Sequence, residues 1–247
     1  MIPRSIIIII LAMLMNDLAA QDFITRGRLE FEVKRDLKKM FAEHRSESNE
    51  DYIASMPEFD ISYKELTFSF GSSIYKAGKS SSGIFPSNNE IYTNLEKKQI
   101  VIKQEINGET YLYGDSLRNI RWRITNETRN IIGFNCRKAI GRIFDSVYVV
   151  AFYAPEIIPQ AGPELFTGLP GMILGLAIPR EHTTWFATKI EVANVDESVI
   201  KPPTMKKAKQ YTKAELAEIL FKKFSGVFGK DFTLNKVRDI MLGDFTL

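Results

Sequence analysis

The chain of 247 residues has one cysteine, Cys136, and two histidines, His44 and His182. A single cysteine excludes an intrachain disulfide, so a packed core has to hold the fold. The histidines do not pair at ligand or triad spacing: His44 lies in a charged segment beside Glu47 and His182 at a turn between two strands. Neither a metal centre nor a catalytic triad is legible from them. A Gly-x-Ser-x-Gly elbow is absent, and the glycines between 162 and 175 lack both the Lys-Ser/Thr ending of a phosphate loop and the spacing of a dinucleotide fingerprint. Asp115 and Asp145 fall at strand ends, where aspartate is an ordinary turn residue. Charge of one sign is also missing. Lys and Arg number 33 against 30 Asp and Glu, too even a balance for nucleic acid as the main partner. The longest apolar run, Ile6 to Met15, is well short of the ~20 residues a membrane-spanning helix needs. No catalytic residue, cofactor or metal ligand is assigned, and the chain is read as non-enzymatic.

What is present begins with a leader. Arg4, the run Ile6 to Met15 and the small pair Ala19-Ala20 ahead of Gln21 form an export signal with cleavage before Gln21. No cysteine follows the run to take a lipid, so the expected address is the periplasm or outer-membrane surface, or the medium. Residues 21–200 read as one β-rich domain and residues 201–247 as a proline-led linker and helical tail.

Strand signals dominate the first two hundred residues. Leu29, Phe31 and Val33 alternate with Arg28, Glu30, Glu32 and Lys34, the pattern of a strand with one wet face. Asp36 to His44 reads as a short helix, Ser46 to Asp51 as a solvated loop, and Tyr63 to Phe70 as a strand that Ser72 to Tyr75 extends past Gly71. Lys79 to Asn89 is a Ser-, Gly- and Asn-rich excursion. Asn107-Gly108 between Gln99 to Ile106 and Glu109 to Tyr113 is the clearest hairpin signal, since both residues tolerate the positive φ of a type I′ turn. Further strands are expected at Arg121 to Thr125, Ile131 to Ile140, Ser146 to Tyr153, Ile173 to Ile178 and Thr184 to Val192, with Asn126-Glu127-Thr128 as a turn. About eight to ten short strands imply an antiparallel meander, forming a curved sheet, half-barrel or sandwich. After Lys201-Pro202-Pro203 the regime changes. Thr212 and Glu215 form a capping-box pattern, and Leu216, Ile219, Leu220, Phe224, Val227 and Phe228 recur at helical spacing. This amphipathic helix either packs on the sheet or, with Lys206, Lys207, Lys209 and Lys213 beside it, lies on an anionic lipid surface.

Two features invite a functional reading. Cys136 has Arg137 and Lys138 beside it, but on a strand Arg137 points to the opposite face, so a small buried hydrophobe is the simpler role. The stretch Gly162 to Leu176 is punctuated by glycine and proline, and Gly168 to Gly171 reads as a tight type II turn with Pro170 second and Gly171 third. Leu165, Phe166, Gly168, Leu169, Pro170 and Gly171 are the candidate partner-binding turn, with Leu165, Phe166 and Leu169 as its apolar contacts. A purely structural turn feeding a core strand is the other reading.

The segment Phe166-Thr167-Gly168-Leu169-Pro170-Gly171-Met172-Ile173-Leu174-Gly175-Leu176 resembles the signature of the GLPGLI family of exported Bacteroidota proteins, with Met172 where the naming pattern has leucine. Asp115-Ser116-Leu117, Ile120 to Thr125 and Ile132 to Ala139 resemble that family's central block, and Glu156 to Pro159 with Gly162-Pro163 its approach to the signature turn. The resemblance implies a secreted or envelope protein without an established activity, and a partner such as an outer-membrane transporter of the TonB-dependent kind. No family catalytic residue transfers. The expected function is a non-enzymatic binding or accessory module. The alternative is a periplasmic carrier that shelters an acyl or other apolar ligand within the curved sheet.

Overall fold

The computed structural model describes residues 23–42, 50–78, 88–143, 147–205 and 209–228, with residues 233, 234, 237 and 241 beyond them. The expected leader, His44 and Asp145 lie outside the described residues, as do Lys206, Lys207 and the side chains of Val227 and Phe228.

β1 (Gly27–Asp36) buries Leu29, Phe31 and Val33 and turns its charged residues outward, as its alternation requires. Asp36 caps α1 (Leu37–Met40) by accepting the Lys39 amide at 3.0 Å, and α2 (Glu50–Ser55) follows, beginning inside the expected loop. β2 (Phe59–Phe68) pairs with β1 along its whole length. The chain then reverses instead of extending. The Ser69 amide donates to the Ser72 carbonyl, so Phe70 and Gly71 form a turn tip and β3 (Ser72–Ala77) runs back along β2. β4 (Glu90–Asn94) was not legible, because five mixed residues beside a Ser/Asn-rich stretch carry little period-two signal. β5 (Gln99–Ile106) and β6 (Glu109–Ser116) form the expected hairpin, with Asn107 at φ +50° and Gly108 at φ +78°.

β7 (Arg123–Ile131) and β8 (Phe134–Ile143) correct the sequence reading. The turn is Ile132-Gly133, both at positive φ, inside the expected strand 131–140, and Asn126 to Thr128 lies within β7 at an irregular stretch of its pairing. Isoleucine is a poor turn residue, so this reversal left no turn signature. β9 (Val147–Ala154), β10 (Met172–Ile178) and β11 (Thr183–Glu191) complete the main meander. β12 (Gln210–Thr212) pairs parallel to β6 and carries the tail onto the sheet.

Together these make one open twelve-stranded sheet in the order β12-β6-β5-β4-β3-β2-β1-β11-β10-β9-β8-β7, antiparallel except at β12. The mainly β, curved antiparallel architecture with a C-terminal helix is the one expected, with twelve strands among the described residues in place of eight to ten. Its curvature follows from one connection. β6 and β7 stand ten inter-strand gaps apart in the sheet, which in a flat sheet is roughly 48 Å. Only residues 117–122 join them, a reach of about 25 Å at most. The sheet has to curl until its two margins approach.

The concave side is packed with Phe31, Phe68, Tyr113, Tyr153 and Trp185, all fully buried. α3 (Lys213–Phe228) closes part of it with Leu216, Ala217 and Leu220 in the core. Its capping box forms as expected: the Thr212 amide donates to Glu215 Oε2 at 2.8 Å, and the Glu215 amide to Thr212 Oγ1 at 3.2 Å. Tyr113 donates its hydroxyl proton to the Met241 carbonyl at 2.7 Å, which fixes a later part of the tail in the same bowl.

β10 is covered on both faces. Leu176 lies between Trp185 and Ala151 on the inner side, whereas on the outer side the β7–β8 hairpin folds over β9 to β11 and lays Arg129 over Phe186, 4.3 Å from the ring centroid. This explains the unbroken apolar run, since a strand buried on both faces needs no alternation. Gly175 permits the contact, because a Cβ there would lie 2.8 Å from Phe186 and 2.9 Å from Ile131. Gly175→Ala is therefore expected to destabilise the protein by about 1–3 kcal/mol in urea unfolding. A variant as stable as wild type would mean that the hairpin does not press on β10.

Candidate functional site

The signature loop is mostly interior. Leu165, Phe166 and Leu169 are 7%, 2% and 1% exposed, so the three side chains expected as partner contacts are core residues, and only Gly168 and Pro170 of the candidate turn reach solvent. The turn also differs in type. Gly171 donates its amide to the Leu169 carbonyl at 2.8 Å, closing a three-residue turn on Pro170, while the Met172 amide goes instead to Ile157. Gly171 has φ +143° and lies so close to β9 that a Cβ would stand 2.2 Å from the Ala154 carbonyl oxygen. The sequence therefore reads glycine here for two reasons at once, backbone angle and contact. Glu164 is held inside at 5% exposure, and Trp185 donates its indole proton to Glu164 Oε1 at 3.4 Å.

The loop does border a surface feature, which it forms with three other loops at one end of the sheet. A groove of about 630 Å³ opens between the Phe70 turn, the β4–β5 turn, the connection 117–122 and residues 158–168. Phe70, Leu95 and Leu117 give it apolar walls together with Ile158 and Pro159. Lys98, Arg118 and Glu96 are its charged lining, with Asn119, Gln160, Thr167 and Gly168 as polar rim. Phe70 is 63% exposed, an unusual position for an aromatic ring at a turn tip.

Hydrogen bonds join the four loops. The Leu95 amide donates to Gly71 at 2.9 Å, tying the β4–β5 turn to the Phe70 turn, and the Leu117 amide donates to Lys98 at 2.9 Å. Trp122 donates its indole proton to the Thr167 carbonyl at 2.9 Å, and the Gly168 amide reaches Gln160 at 3.3 Å. With its backbone already satisfied in this way the groove is preformed, which lowers the ordering cost of binding.

The remaining candidates stand apart from the groove. Cys136 is wholly buried on the face of β8 that it shares with its cross-strand partner Arg129, its thiol directed at the Phe134 carbonyl 3.6 Å away. Burial, with a smaller push from the Glu156 carboxylate, raises its pKa to about 12. His182 ends the short turn after β10 in a left-handed conformation, and its carbonyl accepts the Asp36 amide at 3.0 Å. Lys39 holds the Asp36 carboxyl below its ordinary range through a side-chain hydrogen bond, with a lesser contribution from His182. Asp115 accepts the Ser116 amide at 2.8 Å and lies 3.6 Å from Lys213 at the start of α3. Among the described residues, no group of three His, Cys, Asp or Glu side chains is placed to hold a metal ion, and no helix is long and apolar enough to cross a membrane.

No family model matches the chain, and no curated protein matches it. Solved structures do resemble it in shape. PNGF-II in its P21 crystal form is 11% identical at a TM-score of 0.53, over 80% of this chain and 33% of that one. The C2 form of PNGF-II gives 12% identity and a TM-score of 0.48, over 76% and 31% of the two chains. An uncharacterized conserved protein from Thermus thermophilus is 10% identical at 0.42, over 81% and 98%. The P21 likeness is one of fold alone, and this chain spans about a third of the length of PNGF-II.

Sequence reasoning singled out Gly168, as part of a candidate partner-binding turn, but not Phe70, Lys98 and Arg118, which line the same groove from three separate turns. The available signal was Phe70-Gly71 flanked by serines, a turn pattern with an aromatic at its tip. For Cys136 the structure makes a direct prediction. Its thiolate fraction at pH 8 is negligible, so an alkylating reagent is expected to leave the folded protein unlabelled and to label it rapidly once urea unfolds it. Because the thiol is raised above its ordinary value of 9.0, the stability it contributes is whole below pH 9 and is lost as pH rises towards 12. Fast labelling of the native protein at pH 8 would contradict this placement.

Proposed function

We propose that the protein is a non-enzymatic, exported binding module of the cell envelope and that it binds through the groove at Phe70 and Gly168. The single observation carrying this reading is the groove itself: a concave surface of ligand-binding size, walled by apolar side chains, with a few charged groups and a backbone already hydrogen-bonded. The leader pattern of residues 1–20 and the GLPGLI-like segments support the envelope address. The partner that the resemblance implies is an outer-membrane transporter.

Two observations bear on the other expectations. Among the described residues, one interior space, between Asn89, Gln104, Tyr113, Glu164 and Met241, measures about 10 Å³, no more than one water needs, so that space does not support the reading of a ligand carried inside the bowl. The apolar stripe of α3 faces the core through Leu216, Ala217 and Leu220, whereas Ile219 is exposed and Phe221 and Phe224 are half-buried, so only part of that stripe is left for a lipid surface.

The test compares wild type with a Phe70→Ser/Arg118→Gln variant, each purified from its native envelope after mild cross-linking and each verified as folded by circular dichroism. Wild type is expected to carry a cross-linked protein or a bound mass that the variant lacks. Identical cross-links and masses for the two would remove the groove as the binding face. Leu169→Asp is unsuitable for this purpose, because it would place a charge in the core.

A further inference from the structure

We propose that the protein has a second ligand site, on the face of the sheet above Gly114, and that it takes a neutral saccharide. A trough of about 530 Å³ lies over β5, β6 and β12, within the size range of small-ligand sites, and it shares no lining residue with the groove at Phe70. The strand register creates it. Thr67, Ile74, Tyr92, Val101, Gly114 and Thr212 are successive cross-strand partners from β2 to β12, so they form one row across the sheet. At Gly114 that row drops to bare backbone. The residues two positions away on β6, Leu112 and Ser116, share its face. Ser116 pairs with Gln99 on β5, and Leu112 with Gln210 on β12. A Cβ at Gly114 would find Gln210 Nε2 and the Ile100 carbonyl oxygen no nearer than 3.5 Å, so the floor of the trough is open space with a carboxamide beside it.

Three observations define the ligand. Among the described residues Asp115 is the one charged residue of the lining, and it lies 3.6 Å from Lys213, so the trough offers an ion no unbalanced charge. Gln99 and Gln210 are exposed, and among the described residues no hydrogen bond engages their carboxamides. A carboxamide presents a donor and an acceptor side by side, which matches a pair of neighbouring hydroxyl groups, and Ser116 adds a hydroxyl of its own. Thr212 is not counted, because its hydroxyl is taken up by Glu215. Val101, half-buried beside Gly114, gives an apolar spot on which the C–H face of a pyranose ring can rest while its hydroxyls reach the amides. An alkyl chain in the same place would strip water from the carboxamides and return no hydrogen bond. Because the trough covers only one face of a ring, the expected Kd is about millimolar.

The experiment titrates the isotope-labelled protein with neutral trisaccharides of glucose, mannose and N-acetylglucosamine, following amide and carboxamide NMR shifts. The anionic trimer of galacturonate, the cationic trimer of glucosamine and glycerol are the comparisons. At least one neutral trisaccharide is expected to saturate, with shifts centred on Gln99, Val101, Gly114, Ser116 and Gln210, and the comparisons are not. Gly114→Val fills the trough in a strand whose backbone at that position is not at positive φ, and it is expected to weaken binding about tenfold or more. Gln210→Ala, at an exposed position, is expected to weaken it about threefold and carries the test should the valine variant fail to fold. Phe70→Ser is expected to leave saccharide binding unchanged, which separates this site from the groove. No saturable shift with any neutral trisaccharide, equal binding of the charged trimers, or undiminished affinity in the folded variants would overturn the proposal.

Discussion

The connection of six residues between β6 and β7 is the constraint on which the rest of the molecule depends. Strands that neighbour each other in sequence stand at opposite margins of the sheet, and so short a link cannot span it flat. Curling creates the bowl, and the bowl creates an inside for Trp185, Phe31 and Tyr153 to fill. The same link carries Trp122 across the mouth to the signature loop, where its indole meets the Thr167 carbonyl. Gly141 on β8 leaves room for the Trp122 ring, since a Cβ there would lie 2.8 Å from it. One short segment therefore sets the curvature and supplies a wall of the groove.

The signature loop works from the other side. Its amides at Met172 and Ile173 bond back to Ile157 and Ala161, so the loop doubles over itself before entering β10. Leu165, Phe166 and Leu169 anchor it in the core, and the exposed remainder is a rigid rim at Gly168 and Pro170. Structural and functional readings of this turn are not rivals in that arrangement. Core residues hold it, and the backbone between them forms part of a surface.

Much of the fold was legible where local chemistry and tertiary context agree. β1 alternates because one face is wet, Asn107-Gly108 turns because both residues accept positive φ, and Thr212 with Glu215 caps α3 through their own side chains. Legibility failed where tertiary contact decides. β12 is three residues that become a strand only because β6 offers an edge, and Ile132-Gly133 turns because the hairpin must fold over β10. The groove was illegible for a related reason. Phe70, Lys98, Arg118 and Gly168 lie on separate turns, and no spacing in the sequence records that hydrogen bonds between those turns bring them together.

Amide hydrogen exchange tests the central claim, that the groove is a preformed assembly tied together through the 117–122 link. The Leu95, Leu117 and Gly168 amides each bond within or between the four loops, so they are expected to be protected in wild type. Trp122→Phe, which loses the bond to Thr167, is expected to speed exchange at Leu117 and Gly168 while leaving the β1–β2 ladder unchanged. Unprotected exchange at Leu117 and Gly168 in the wild-type protein would contradict the account.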